Sequence, residues 1–101
     1  KIKVAVDNGL YYEISKDGAN VKFAYSNADV AKAAILIVAS YSADGSKLEE
    51  VCVSAENTML AGEGTFTAKM PVGGNRVTLM LGDSLAGLEP IISDVDITSL
   101  R

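Results

Sequence analysis

Val77-Thr-Leu-Met-Leu-Gly-Asp-Ser-Leu-Ala-Gly-Leu-Glu-Pro90 begins as a strand and finishes as a turn. Val77, Leu79 and Leu81 fall on one side of an extended chain, because successive side chains of a strand point to opposite faces. Gly82 breaks that run, Asp83-Ser84 supply turn chemistry, and Pro90 ends the segment with a residue that has no amide to donate. Leu85 and Leu88 are three apart, but with a single pair no helical stripe develops.

The same period of two recurs outward in both directions. Toward the N-terminus, Phe66, Ala68 and Met70 alternate with Thr65, Thr67 and Lys69, after the breaker Ala61-Gly-Glu-Gly64. Residues 48–53 pair back on Ile35 to Tyr41 through Asp44-Gly45, the strongest hairpin signal in the chain because glycine accepts positive φ. Val21, Phe23 and Tyr25 form another apolar row, as do Leu10, Tyr12 and Ile14, and as do Ile2, Val4 and Val6. Toward the C-terminus, residues 92–97 close the pattern, with Asp94 and Asp96 on a wet face. About seven or eight short strands at roughly 8–12-residue spacing predict an all-β fold, a two-sheet antiparallel β-sandwich. Residues 27–34 compete with that pattern, since Asn27 or Asp29 could cap a helix. The β-branched Ile35, Ile37 and Val38 that follow favour a loop there, with at most one helical turn.

Two segments carry a resemblance. The stretch from Val77 to Pro90, together with Ala34-Ile-Leu-Ile-Val-Ala-Ser-Tyr-Ser-Ala-Asp-Gly45, is similar to Ig-like or fibronectin-III-like accessory modules of bacterial, Firmicutes-type, cell-surface proteins and secreted glycan-degrading enzymes. Those modules carry strands reading like LIVASYD-x-DGKL and V-x-LFLWDSL-x-x-LKP. The likeness spans about residues 20–91 and rests on structural rather than chemical motifs. Where Gly82 stands, the resembling modules commonly have Trp, so this chain has lost a large ring. The resemblance implies a non-catalytic spacer, secreted or at the cell surface, whose partners are neighbouring domains of the same polypeptide.

The 101 residues are enough for one domain with a single core, so residues 1–101 are read as one module. The chain begins with Lys1 rather than Met, which suggests a piece of a longer protein. With 49% apolar and 22% charged residues it has the composition of a folding domain. A net charge of −4 with nine scattered Lys and Arg offers nothing to neutralise phosphates, so nucleic acid is not an expected partner. No apolar run approaches the ~18 residues of a spanning helix, so membrane insertion is not expected either.

Histidine is absent and Cys52 is alone, which excludes Ser-His and Cys-His nucleophile pairs, an internal disulfide and a zinc site. Cys52 is read as a small buried apolar residue. The 13 acidic residues sit mostly in turns or on polar strand faces, with no cleft indicated that would desolvate a carboxylate pair, so no enzyme and no cofactor are expected. Calcium needs six to eight oxygens, more than Asp7-Asn8, Asp94-Val95-Asp96 or Asp83 with Glu89 can supply, and turn-capping and alternation account for these residues. No motif marks an intramolecular Lys–Asn amide bond.

What remains is recognition. Sugar sites on β-sandwiches use exposed rings against the apolar face of a pyranose. Tyr11 and Tyr12 are adjacent, so in a strand one ring must leave the core, and Tyr41 lies at the end of a buried strand. These three tyrosines are the candidate ligand-binding residues, with polysaccharide as the possible ligand. Isolated exposed tyrosines also serve as cross-strand partners. A third possibility is protein interaction by pairing along residues 1–6 or 48–53 at a sheet edge, although Lys1, Lys3, Glu49 and Glu50 are charges of the kind that blunt edges.

Overall fold

The computed structural model describes residues 2–7 and 9–101, with side chains from Gly9 onward. The described residues form ten strands: β1 (Ile2–Asp7), β2 (Leu10–Asp17), β3 (Asn20–Ala28), β4 (Lys32–Ala33), β5 (Ile35–Tyr41), β6 (Leu48–Val53), β7 (Thr58–Met59), β8 (Gly62–Lys69), β9 (Arg76–Gly82) and β10 (Pro90–Asp96). Eight of them build a sandwich of two four-stranded sheets, ordered β1-β2-β3-β8 and β10-β9-β5-β6, and every pairing is antiparallel. The remaining two, β4 and β7, pair as a short ribbon. The all-β sandwich expected from alternation is the fold observed.

Alternation also selects the core. Leu10, Tyr12 and Ile14 of β2, Val21, Phe23 and Tyr25 of β3, and Phe66 and Ala68 of β8 are buried, while the residues alternating with them turn outward. Against them lie Leu36 and Val38 of β5, Val77, Leu79 and Leu81 of β9, and Ile92 of β10. All four buried rings come from the first sheet. Tyr12 stacks on Phe23 at 5.2 Å between centroids, Phe23 meets Phe66 edge-on at 6.4 Å, and Tyr25 packs on Phe66 at 5.7 Å. Tyr25 keeps its polar end satisfied, its hydroxyl accepting a 2.7 Å bond from the Leu60 amide. That reach depends on Gly64, opposite Tyr25 on β8, because a Cβ there would collide with the phenol.

Local detail departs from simple alternation at three places. Residues 27–33 hold no helix: β3 runs on to Ala28 through a bulge, with Asn27 at φ 66°, and the chain re-extends in β4. The Asn27 amide donates to the Gly9 carbonyl at 2.8 Å instead of capping a helix. Pro90 is not the stop after a turn but the first residue of β10, a strand position that needs no amide from proline. The Asp44-Gly45 turn is wider than a two-residue hairpin: residues 42–47 form the loop, closed by the Ser42 amide on the Lys47 carbonyl at 2.9 Å.

Two polar residues inside the sandwich differ in how they are satisfied. Ser54 Oγ accepts from the Leu36 amide at 3.0 Å and donates to the Glu56 carbonyl at 2.6 Å. Ser40 Oγ is buried and has no hydrogen-bond partner among the described residues, and Gly74 lies against its Cβ. Phe66→Ala, at a site with no exposure, is expected to cost about 3–5 kcal/mol in urea unfolding. Ser40→Ala keeps the Cβ and removes the orphan hydroxyl, so the same assay should show stability unchanged or raised by up to about 1 kcal/mol.

Candidate functional site

The three candidate tyrosines occupy three different environments. Tyr11 is 52% exposed on the outer face of the first sheet. Register places it opposite Ser26 on β3, with Glu13 opposite Ala24 one row further on. The small Ala24 leaves a shallow depression of about 300 Å³ lined by Tyr11, Glu13, Ser26 and Glu63. A ring, two carboxylates and a hydroxyl thus meet there, a combination suited to a polyhydroxylated or cationic ligand. Beyond it this face continues in polar residues, Ser15 opposite Lys22 and Lys22 opposite Thr67.

The Tyr12 ring lies in the core against Phe23, as strand parity with Leu10 and Ile14 requires, and Tyr12 is also among the residues lining this depression. Tyr41 is half-buried at the end of β5, opposite Arg76 on β9 and Leu48 on β6. It belongs to the outer face of the second sheet, so the thickness of the sandwich separates it from Tyr11. The two rings cannot form one platform.

That second outer face holds the feature that the sequence analysis missed. Outward parity on β5 belongs to Ile35, Ile37, Ala39 and Tyr41, because Leu36 and Val38 fill the core. Register lines these residues up across the sheet as Val53–Ile37–Met80, Val51–Ala39–Thr78 and Leu48–Tyr41–Arg76. Leu48, Val51 and Val53 are 53, 46 and 40% exposed. Apolar residues of three strands thus neighbour one another on this face, the exposed Val51 and Val53 beside the half-buried Ile37 and Met80, with the Arg76–Asp96 ion pair at 3.5 Å at one end. Gly82 sits at its upper end, where the Met80 methyl and Ile37 Cδ1 close over the space above the missing side chain. One signal was present in the sequence: residues 33–39 are unbroken apolar, the pattern of a strand covered on both faces.

The acidic residues serve the loops. Asp44 Oδ1 accepts from the Ser42 hydroxyl at 2.7 Å, the Ser46 amide at 3.0 Å and the Ser46 hydroxyl at 2.7 Å. Those bonds hold its carboxyl at about 2, below the usual 3.8, with the Ser42 hydroxyl the largest influence. Glu50 does not project outward to blunt an edge. Its Oε1 accepts from the Val72 and Gly73 amides at 3.1 and 3.2 Å, tying the β8–β9 connection to β6, and the Gly73 bond is the main cause of its lowered pKa. Cys52, on the same side of β6, is half-buried rather than fully buried, because an edge strand is covered only in part. Burial, followed by its bond to Glu50, raises its thiol pKa.

Asp83 closes the β9–β10 loop with its Oδ1 on the Glu89 amide at 3.0 Å, and Asp96 Oδ1 accepts from the Thr98 amide and hydroxyl. Asp7-Asn8 cannot be judged as a ligand pair, since their side chains lie outside the described residues. Among the described residues no three of His, Cys, Asp and Glu converge as a metal site would require. Comparison with known families, with curated proteins and with solved structures returns no match.

Acid should loosen the Asp44 loop first. A carboxyl whose folded pKa is depressed stabilises the fold above its unfolded value, and that contribution disappears as pH falls from about 4 toward 2. Thermal midpoints measured from pH 5 to pH 2 should therefore fall less steeply for Asp44→Asn than for the parent sequence.

Proposed function

We propose that this chain is a non-catalytic accessory module, Ig-like or fibronectin-III-like, of a larger secreted or surface-anchored bacterial protein. In this role it seats a neighbouring domain of the same polypeptide on the outer face of β10-β9-β5-β6. The observation that carries the proposal is the unlike chemistry of the two outer faces. One presents Glu13, Ser15, Lys22 and Thr67 to water, whereas the other presents Leu48, Val51, Val53, Ile37 and Met80. A group of exposed apolar side chains on one sheet face is the kind of feature that marks an interaction surface. The strand order, which sets β8 beside β3 and β9 beside β5 so that sequence neighbours are split between layers, supports the type of sandwich.

Area favours a tethered occupant over a free one. Three strands at ~4.8 Å spacing and about five residues at ~3.3 Å each span a flat face of roughly 240 Å². A stable complex between free partners takes about 800 Å² from each. A domain on the same chain is present at an effective concentration of about millimolar, so a smaller contact suffices to orient it.

The test is a pair of surface charges. Val51→Lys with Val53→Lys should leave the isolated module within about 0.5 kcal/mol per site of its original stability. In the parent polypeptide the same pair should broaden the interdomain distances seen by small-angle scattering and expose the junction to protease. An unchanged scattering profile would rule out docking by this face.

The depression around Tyr11 favours a second reading, carbohydrate binding, since Tyr11 combines an exposed ring with Glu13, Glu63 and Ser26. Affinity electrophoresis through soluble polysaccharides should then show retardation that Tyr11→Ala abolishes without lowering the thermal midpoint. Equal mobility of the two proteins in every polysaccharide would remove this reading.

A further inference from the structure

Where the two sheets part at one end of the sandwich, a cavity of about 330 Å³ opens to solvent. Its floor is aliphatic, made by Leu10 of β2, Met59 of β7 and Ile91 of β10. Among the described residues its mouth carries two opposite charges, Asp29 and Lys32, both exposed. Among the described residues neither charge has a hydrogen-bond or ion-pair partner, and they do not pair with each other.

The walls are held before anything binds. On one side the Asn27 amide fastens the β3–β4 segment to the Gly9 carbonyl at 2.8 Å. On another the Ala34 amide donates to the Asn57 carbonyl at 3.1 Å and fixes the β4–β7 ribbon that supplies Lys32 and Met59. Opposite them, Asp83 exchanges two 3.0 Å bonds with the backbone of Glu89 and delivers Pro90 and Ile91 to the rim. A pre-formed concave site with an apolar floor and a few polar groups is the usual form of a small-molecule site.

Its chemistry narrows the ligand. Among the described residues no aromatic ring lines the cavity, so neither a sugar nor a nucleobase would find a stacking surface. One lysine beside a carboxylate makes a poor phosphate cradle. A molecule with an aliphatic body, one ammonium and one carboxylate satisfies every group present. We propose that this cavity binds a free α-amino acid with an aliphatic side chain, its ammonium on Asp29, its carboxylate on Lys32 and its side chain against Leu10, Met59 and Ile91.

The test is a titration of the methyl-labelled protein with L-leucine, followed by NMR, using isocaproate and isoamylamine as analogues that each lack one charged group. Leucine should produce saturable shifts of the Leu10, Met59 and Ile91 methyls, with a dissociation constant on the order of millimolar. Each analogue should bind about tenfold more weakly, the loss of one charge-assisted contact. Asp29→Asn should erase the advantage of leucine over isocaproate, and Lys32→Met its advantage over isoamylamine. Both side chains are exposed, so neither change threatens the fold. Absence of saturable shifts at these methyls would overturn the assignment. So would analogues that bind as tightly as leucine, since the cavity would then be only a greasy crevice.

Discussion

The packing of one aromatic layer on one aliphatic layer holds this sandwich together. Tyr12, Phe23, Tyr25 and Phe66 all rise from the first sheet, and Leu36, Val38, Val77, Leu79 and Leu81 descend from the second. Rings supply large, stiff surfaces with few rotamers to lose, and the branched aliphatics fill the spaces between them. Because the rings touch one another, β2, β3 and β8 behave as a unit, and Gly64 is part of that unit through the room it gives Tyr25.

Much of the layer was legible in the sequence because alternation is a local property. The inward rows of β2, β3, β8 and β9 follow directly from period two, and each is buried as that period requires. Long-range placement was not legible. Tyr11 and Tyr41 look equivalent along the chain, yet sheet assignment puts them on opposite faces. Glu50 looks like an edge charge, but its partners are amides more than twenty residues away, at Val72 and Gly73. Asn27 looks like a helix cap until the backbone of Gly9 is brought beside it.

The apolar outer face lies between these two cases. Its strongest sign, the unbroken run at residues 33–39, tells that β5 is covered on both faces without telling by what. Only cross-strand register shows that Val51, Val53 and Met80 extend it into a surface. Gly82 shapes this same surface, since the Met80 methyl and Ile37 Cδ1 close over that position. A flexible thioether there makes an adaptable contact.

The first sheet ends at β8, whose outer backbone would ordinarily offer itself to another strand. There the Glu56 carboxylate already occupies the Thr67 amide at 2.9 Å. A strand arriving from another molecule would first have to evict an anion, and no backbone carbonyl competes well with one. Copies of this fold brought flank to flank along β8 therefore meet a defended amide at Thr67 rather than an open ladder.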